Sequence, residues 1–128
     1  MLWLKQDSKL KLEHVALANK LYFMKTVTVQ ELKEMMDNDE DFQLIDVREK
    51  HEYDFVNLKA ELYPLSEIND HKDKFSKDKK VIVHCRSGAR SGNVITMMEA
   101  EHGYTNLYNL TGGILAWAEQ IDTSLPTY

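Results

Sequence analysis

The stretch Lys79-Lys80-Val81-Ile82-Val83-His84-Cys85-Arg86-Ser87-Gly88-Ala89-Arg90-Ser91 constrains the chain most. The unbroken β-branched run Val81 to Val83 predicts a strand buried on both faces, the kind found in parallel sheets. That strand delivers Cys85, the only cysteine, into a compact loop holding Gly88 and two arginines. Ser91 then reads as the N-cap of a helix carrying Val94, Ile95, Met97 and Met98. Strand, tight loop and helix N-terminus together form an anion cradle, with backbone N–H groups pointing inward and the helix dipole positive at that end. A thiol held there loses its proton readily, and comparable sites have thiol pKa values of roughly 3.5–7.5. The stretch therefore predicts a nucleophilic thiolate in an anion-binding loop formed by Arg86, Ser87, Gly88, Ala89, Arg90 and Ser91.

Bulk properties narrow what such a loop can serve. A chain of 128 residues supports one domain with a real core. A net charge of −5 argues against general nucleic-acid binding, which needs a basic face. Against that acidic background, residues 85–98 contain no acid at all, a local contrast that favours an anion at the loop. A single cysteine permits no internal disulfide, which fits a reducing cytoplasm and leaves the thiol free. No apolar run approaches the ~20 residues of a membrane span, and the N-terminus lacks a signal peptide's pattern. His14, His51, His71 and His102 show no metal-ligand spacing, so no metal and no cofactor are expected.

Strands alternate with helices along the rest of the chain. Thr28-Val29-Gln30-Glu31 is a capping box opening a helix with Leu32, Met35 and Met36 on its apolar face. Phe42 to Val47 reads as a second buried strand, running into Asp46-Val47-Arg48-Glu49. Leu62 to Leu65 reads as a short strand stopped by Pro64, and Asn106 to Leu110 as the last. Thr111-Gly112-Gly113 turns the chain into a helix with Ile114, Leu115, Trp117, Ala118 and Ile121. The alternation predicts an α/β fold with a mainly parallel central sheet and helices on both faces. Ligands in such sheets bind beyond the carboxyl ends of the strands, where Cys85, Asp46 with Arg48, and Gly112-Gly113 would converge. Asp46 and Arg48 are expected to support the rim as a structural ion pair. Arg90 is expected to brace the loop through a carboxylate, with Asp46 and Glu52 both open as partners. Residues 1–24 are set apart as an N-terminal extension patterned as a helix, with Met24 as an alternative start; residues 25–128 form the domain.

These residues match a family. From about Thr26 to Pro126 the chain resembles a single-domain rhodanese, a sulfurtransferase. The resemblance rests on four pieces in order: Leu44-Ile45-Asp46-Val47-Arg48-Glu49, then Glu52-Tyr53, then His84 through Ser91, then Leu110-Thr111-Gly112-Gly113 with Trp117. Asn57-Leu58 and Ile121 to Pro126 are similar, more narrowly, to the rhodanese domain fused to adenylyltransferases that activate sulfur-carrier proteins. Phe55-Val56-Asn57-Leu58 departs from the Gly-His-Ile of many rhodaneses. The resemblance implies a rhodanese-like fold and a Cys85 persulfide that moves sulfane sulfur from thiosulfate, or a similar small-molecule donor, to a thiophilic acceptor. A sulfur-carrier or other acceptor protein is the implied partner; neither nucleic acid nor membrane is. Two alternatives remain open: a cysteine-dependent phosphatase or arsenate reductase, and a sulfur-relay or interaction module with little thiosulfate activity. The phosphatase motif places five residues between Cys and Arg; here four separate Cys85 from Arg90, a smaller cradle suited to one sulfur.

Overall fold

The computed structural model describes residues 24–128, so the helix expected over residues 1–24 lies outside the described residues, Met24 apart. The elements in chain order are β1 (Thr26–Val27), α1 (Val29–Asp37), β2 (Phe42–Asp46), α2 (Lys50–Phe55), β3 (Glu61–Leu62), α3 (Ile68–His71), β4 (Lys80–His84), α4 (Ala89–His102), β5 (Leu107–Leu110) and α5 (Gly113–Gln120). Single 3-10 turns flank α3 at Leu65–Glu67 and Lys72–Lys74. The five strands form one sheet in the order β1-β5-β4-β2-β3, and every pairing is parallel.

The buried run sits at the centre of this sheet. Val81, Ile82 and Val83 are fully buried between β2 and β5, because alternate side chains of one strand feed opposite layers. Val81 and Val83 join Ile45, Val47 and Leu107 under Val94, Ile95 and Met98 of α4. Ile82 faces the other way, onto Leu32 and Met35 of α1 and Trp117 of α5. Each such side chain contributes roughly 1.5–3 kcal/mol of burial. The capping box at Thr28 is present: its Oγ1 accepts from Glu31 N at 3.1 Å and its own N–H donates to Glu31 Oε1 at 3.2 Å.

The helix after the cysteine loop begins earlier than the serine pattern suggests. Gly88, at φ 109°, is the residue before the first helical turn, and α4 starts at Ala89. Ser91 is therefore inside the helix, not its cap. A glycine can adopt the left-handed conformation that turns the chain sharply out of the loop, so the helix is launched by backbone geometry. The Ser91 hydroxyl is left for other partners.

Candidate active site

Cys85 leaves β4 at the carboxyl edge of the sheet, and only 1% of it is exposed. Its Sγ accepts from Gly88 N–H at 3.1 Å and from the Ser91 hydroxyl at 3.3 Å. Burial alone pushes the thiol up. The Ser91 hydroxyl and the backbone N–H groups of Ser91, Gly88 and Ser87 outweigh it, so the net shift is downward. The loop thus favours the thiolate.

The loop's carbonyls are engaged away from the sulfur, by α5. Cys85 O accepts from Ile114 N at 3.0 Å and Arg86 O from Leu115 N at 3.1 Å, both from the first turn of α5. Those amides have no partner within their own helix, so helix end and loop satisfy each other. The approach requires Gly113: its φ is 60°, and a Cβ there would collide with Arg86 O and lie 2.6 Å from Cys85 O. Gly112-Gly113, expected at the same rim as Cys85, forms the wall of the cysteine loop.

The arginines behave differently from one another. Arg90 donates two parallel hydrogen bonds to Glu52, Nη1 to Oε1 at 2.7 Å and Nη2 to Oε2 at 2.8 Å. Arg90 thereby holds the Glu52 carboxyl down at about 2, helped by the Tyr128 hydroxyl, which donates to Oε2 at 2.6 Å. Of the two carboxylates left open by the sequence, Glu52 is the partner, because Asp46 is already engaged. Arg48 and Asp46 are both fully buried and paired at 2.7 Å, with a second contact from Arg48 Nε to Asp46 Oδ1 at 3.0 Å. Arg48 also donates to Val56 O at 2.7 Å and to the Tyr128 hydroxyl at 3.0 Å. Arg86 stays near the loop mouth, its Nε donating to Tyr128 O at 2.6 Å and its guanidinium 5.1 Å from the Tyr128 ring. Ser87 and Ala89 are exposed on the outer side of the loop. A cavity of about 480 Å³, lined by His51, Glu52, Phe55 and Tyr128, opens beside this network.

His84 does not pair with the thiol. It is fully buried, its Nδ1 lies 3.3 Å from Cys85 O, and its Nε2 stands 3.6 Å from Asp46 Oδ2. Burial keeps it neutral by pushing its pKa below the ordinary value, against the pull of Asp46. Among the described residues, no group of three or more His, Cys, Asp and Glu side chains is placed to hold a metal ion, and no helix is long and apolar enough to cross a membrane.

Two residues at the site escaped the sequence reading. Asn109, on β5, accepts from the Ser91 hydroxyl at 2.6 Å and donates to Gly88 O at 3.0 Å. Tyr128 ties Arg48, Glu52 and Arg86 together. An asparagine inside a buried strand is unusual for its type and was the one available signal for Asn109.

A parallel α/β sheet that presents a stabilised thiol at its carboxyl rim defines a cysteine-centred α/β domain. The chain belongs to the rhodanese-like sulfurtransferase family: the model of the Rhodanese-like domain matches residues 28–120. It is 33% identical over 106 residues to the "Probable adenylyltransferase/sulfurtransferase MoeZ" of Mycobacterium tuberculosis, covering 80% of this chain but only 27% of that protein. It is 35% identical over 97 residues to a sulfurtransferase of Allochromatium vinosum, covering 70% of this chain and 83% of that one. Among solved structures, a rhodanese-like domain protein from Staphylococcus aureus superposes with a TM-score of 0.68 at 30% identity, covering 82% of this chain and 99% of that one. The expected rhodanese-like fold is the observed one.

Proposed function

We propose that the domain, residues 25–128, is a sulfurtransferase that carries sulfane sulfur as a persulfide on Cys85. The observation that carries this reading is the convergence of Gly88 N–H and the Ser91 hydroxyl on Sγ, while the carbonyls of Cys85 and Arg86 are held away by α5. A cradle of donors stabilises a thiolate, and equally the charged terminal sulfur of a persulfide.

The Cys85 thiolate attacks the outer sulfur of thiosulfate, the Sγ–S bond forms, the donor's S–S bond breaks, and sulfite leaves with the bonding pair. The persulfide anion then gives its outer sulfur to a thiophilic acceptor, restoring the thiolate. This is thiol exchange chemistry divided into two covalent steps, and it needs neither metal nor cofactor. Arg86, at the mouth, supplies positive charge to an anionic donor. Asp46 and Arg48 hold the rim on which Glu52 and Arg90 brace the loop. The similarity to adenylyltransferase/sulfurtransferase proteins supports a sulfur-carrier or other acceptor protein as the physiological partner, and a single cysteine that can form no internal disulfide suits the cytoplasm as the compartment.

The commitment of Arg90 favours sulfur over phosphorus. A phosphatase of this general pattern needs that arginine to clamp the oxyanion, and here both terminal nitrogens are on Glu52. The testing experiment runs the protein on thiosulfate with cyanide and, side by side, on p-nitrophenyl phosphate. Thiocyanate release that vanishes in Cys85→Ser, with no phosphate release, is the expected outcome. Cys85-dependent phosphate release without sulfur transfer would overturn the proposal.

A further inference from the structure

Gly88 O is an acceptor only, so the group of Asn109 facing it at 3.0 Å must be the Nδ2 donor. That fixes the amide's orientation, and Oδ1 must face Ser91. Oδ1 cannot donate, so the short 2.6 Å contact is a bond given by the Ser91 hydroxyl. The same hydroxyl lies 3.3 Å from Cys85 Sγ. Ser91 has one hydroxyl proton and two acceptors for it.

We propose that Asn109 is a positioning residue that sets the acidity of Cys85 by competing with Sγ for the single proton of Ser91. The inference rests on Cys85 being the nucleophile, and it gives the loop two states. With Cys85 as a thiol, Sγ–H donates to Ser91 Oγ, and Ser91 donates onward to Asn109 Oδ1. When the thiol proton leaves to water, the Ser91 hydroxyl rotates about its Cβ–Oγ bond and donates to the thiolate, and Oδ1 loses its partner. When Cys85 carries a second sulfur, Sγ is neutral and the proton returns to Asn109. Every member of the chain keeps a partner when the charge is absent from Sγ, and Asn109 is the residue that bears the loss when the charge is there.

The surroundings support a built arrangement. The Asn109 backbone is locked in the sheet, its N–H on Lys25 O at 2.9 Å and its strand register opposite Val83 and Thr26. Gly92 leaves room for the amide: a Cβ there would come within 3.3 Å of Nδ2. The bond from Nδ2 to Gly88 O is backed by a second one from Gly92 N at 3.1 Å, so the loop keeps that carbonyl fixed without Asn109. What Asn109 alone controls is the Ser91 proton. The charged groups around Cys85 are few. Arg90 faces it from α4, already paired with Glu52 of α2. Arg86 stands beside it in the loop, and the neutral His84 precedes it in β4. The first turn of α5 brings no acid.

The test is the pH midpoint of thiolate formation, read by the thiolate's ultraviolet absorbance as the difference between each protein and the same protein carrying Cys85→Ser. A neutral hydrogen bond of ordinary strength withdrawn from competition corresponds to a shift of roughly half a pH unit to one unit. Asn109→Ala is expected to lower the midpoint by that amount. Asn109→Asp, a stronger acceptor, is expected to raise it. In a Ser91→Ala background Asn109→Ala should move the midpoint by less than a third of its effect in the native chain. A midpoint that stays put or rises in folded Asn109→Ala, or one that falls equally with Ser91 absent, would overturn the proposal. Sulfur loading measured on the same proteins separates the two readings: a wild type that titrates as described yet never loads sulfur sinks the transferase reading and leaves the role of Asn109 standing.

Discussion

Replacing Arg90 by alanine removes both donors from Glu52 and leaves a carboxylate with only 10% of its side chain exposed. Glu52 keeps the Tyr128 hydroxyl and the Glu49 N–H at 3.1 Å, which do not neutralise it. Its carboxyl is held at about 2 against an ordinary 4.5, with Arg90 as the largest cause. At about 1.4 kcal/mol per pKa unit the whole displacement corresponds to roughly 3 kcal/mol. Arg90 is partly open to solvent, which screens its share, so Arg90→Ala is expected to cost about 2 kcal/mol at neutral pH. Arg90→Lys keeps the charge but loses the two-point geometry and should fall between. Because the folded carboxyl is depressed, its contribution is fully present above pH 4.5 and is lost as pH falls toward about 2. Urea unfolding of wild type and Arg90→Ala from neutral pH downward should therefore show a gap that closes across that window. His84 adds a common acid sensitivity: its folded pKa lies below 6.5, so the unfolded chain takes up its proton first and both proteins lose stability below that pH. It cancels in the difference. A gap below about 0.5 kcal/mol at neutral pH, or one that is flat with pH, would mean that Arg90 does not hold the Glu52 charge.

Arg86→Ala is expected to raise KM for thiosulfate about fivefold, the value of roughly 1 kcal/mol for a half-exposed charge-assisted contact, with little change in thermal stability; steady-state kinetics against thiosulfate checks it. Gly113→Ala should destabilise the fold by more than about 2 kcal/mol, because a left-handed alanine is strained and its Cβ would press on the Cys85 and Arg86 carbonyls. Gly103→Ala, at φ 67° but with nothing within 4 Å of the added Cβ, should cost only about 1 kcal/mol. Melting temperatures of the pair separate strain from collision.

What the sequence made legible was local. Thr28 and Glu31 are three residues apart, and the capping box they predict is the one that forms. Val81 to Ser91 is a continuous strand, loop and helix, so its role in the fold was readable without knowing any neighbour. Ser91 is not the cap its pattern predicts, because the preference for serine at helix starts is statistical, while Gly88 decides the start by its left-handed φ. The partner of Arg90 could not be chosen locally: Glu52 is 38 positions away, and Asp46 is excluded only once Arg48 has claimed it. The partners of Asn109 and Tyr128 are equally remote, 18 to 21 and 42 to 80 positions away. Parallel pairing brings distant segments to one rim, and a linear pattern carries no record of that.

Mass spectrometry of the intact protein after incubation with thiosulfate, then after cyanide, tests the proposed Cys85 persulfide. A gain of one sulfur atom that cyanide removes, present in the wild type and missing in Cys85→Ser, is the predicted result. A wild type that gains no mass, or a Cys85→Ser protein that gains the same mass, would contradict it.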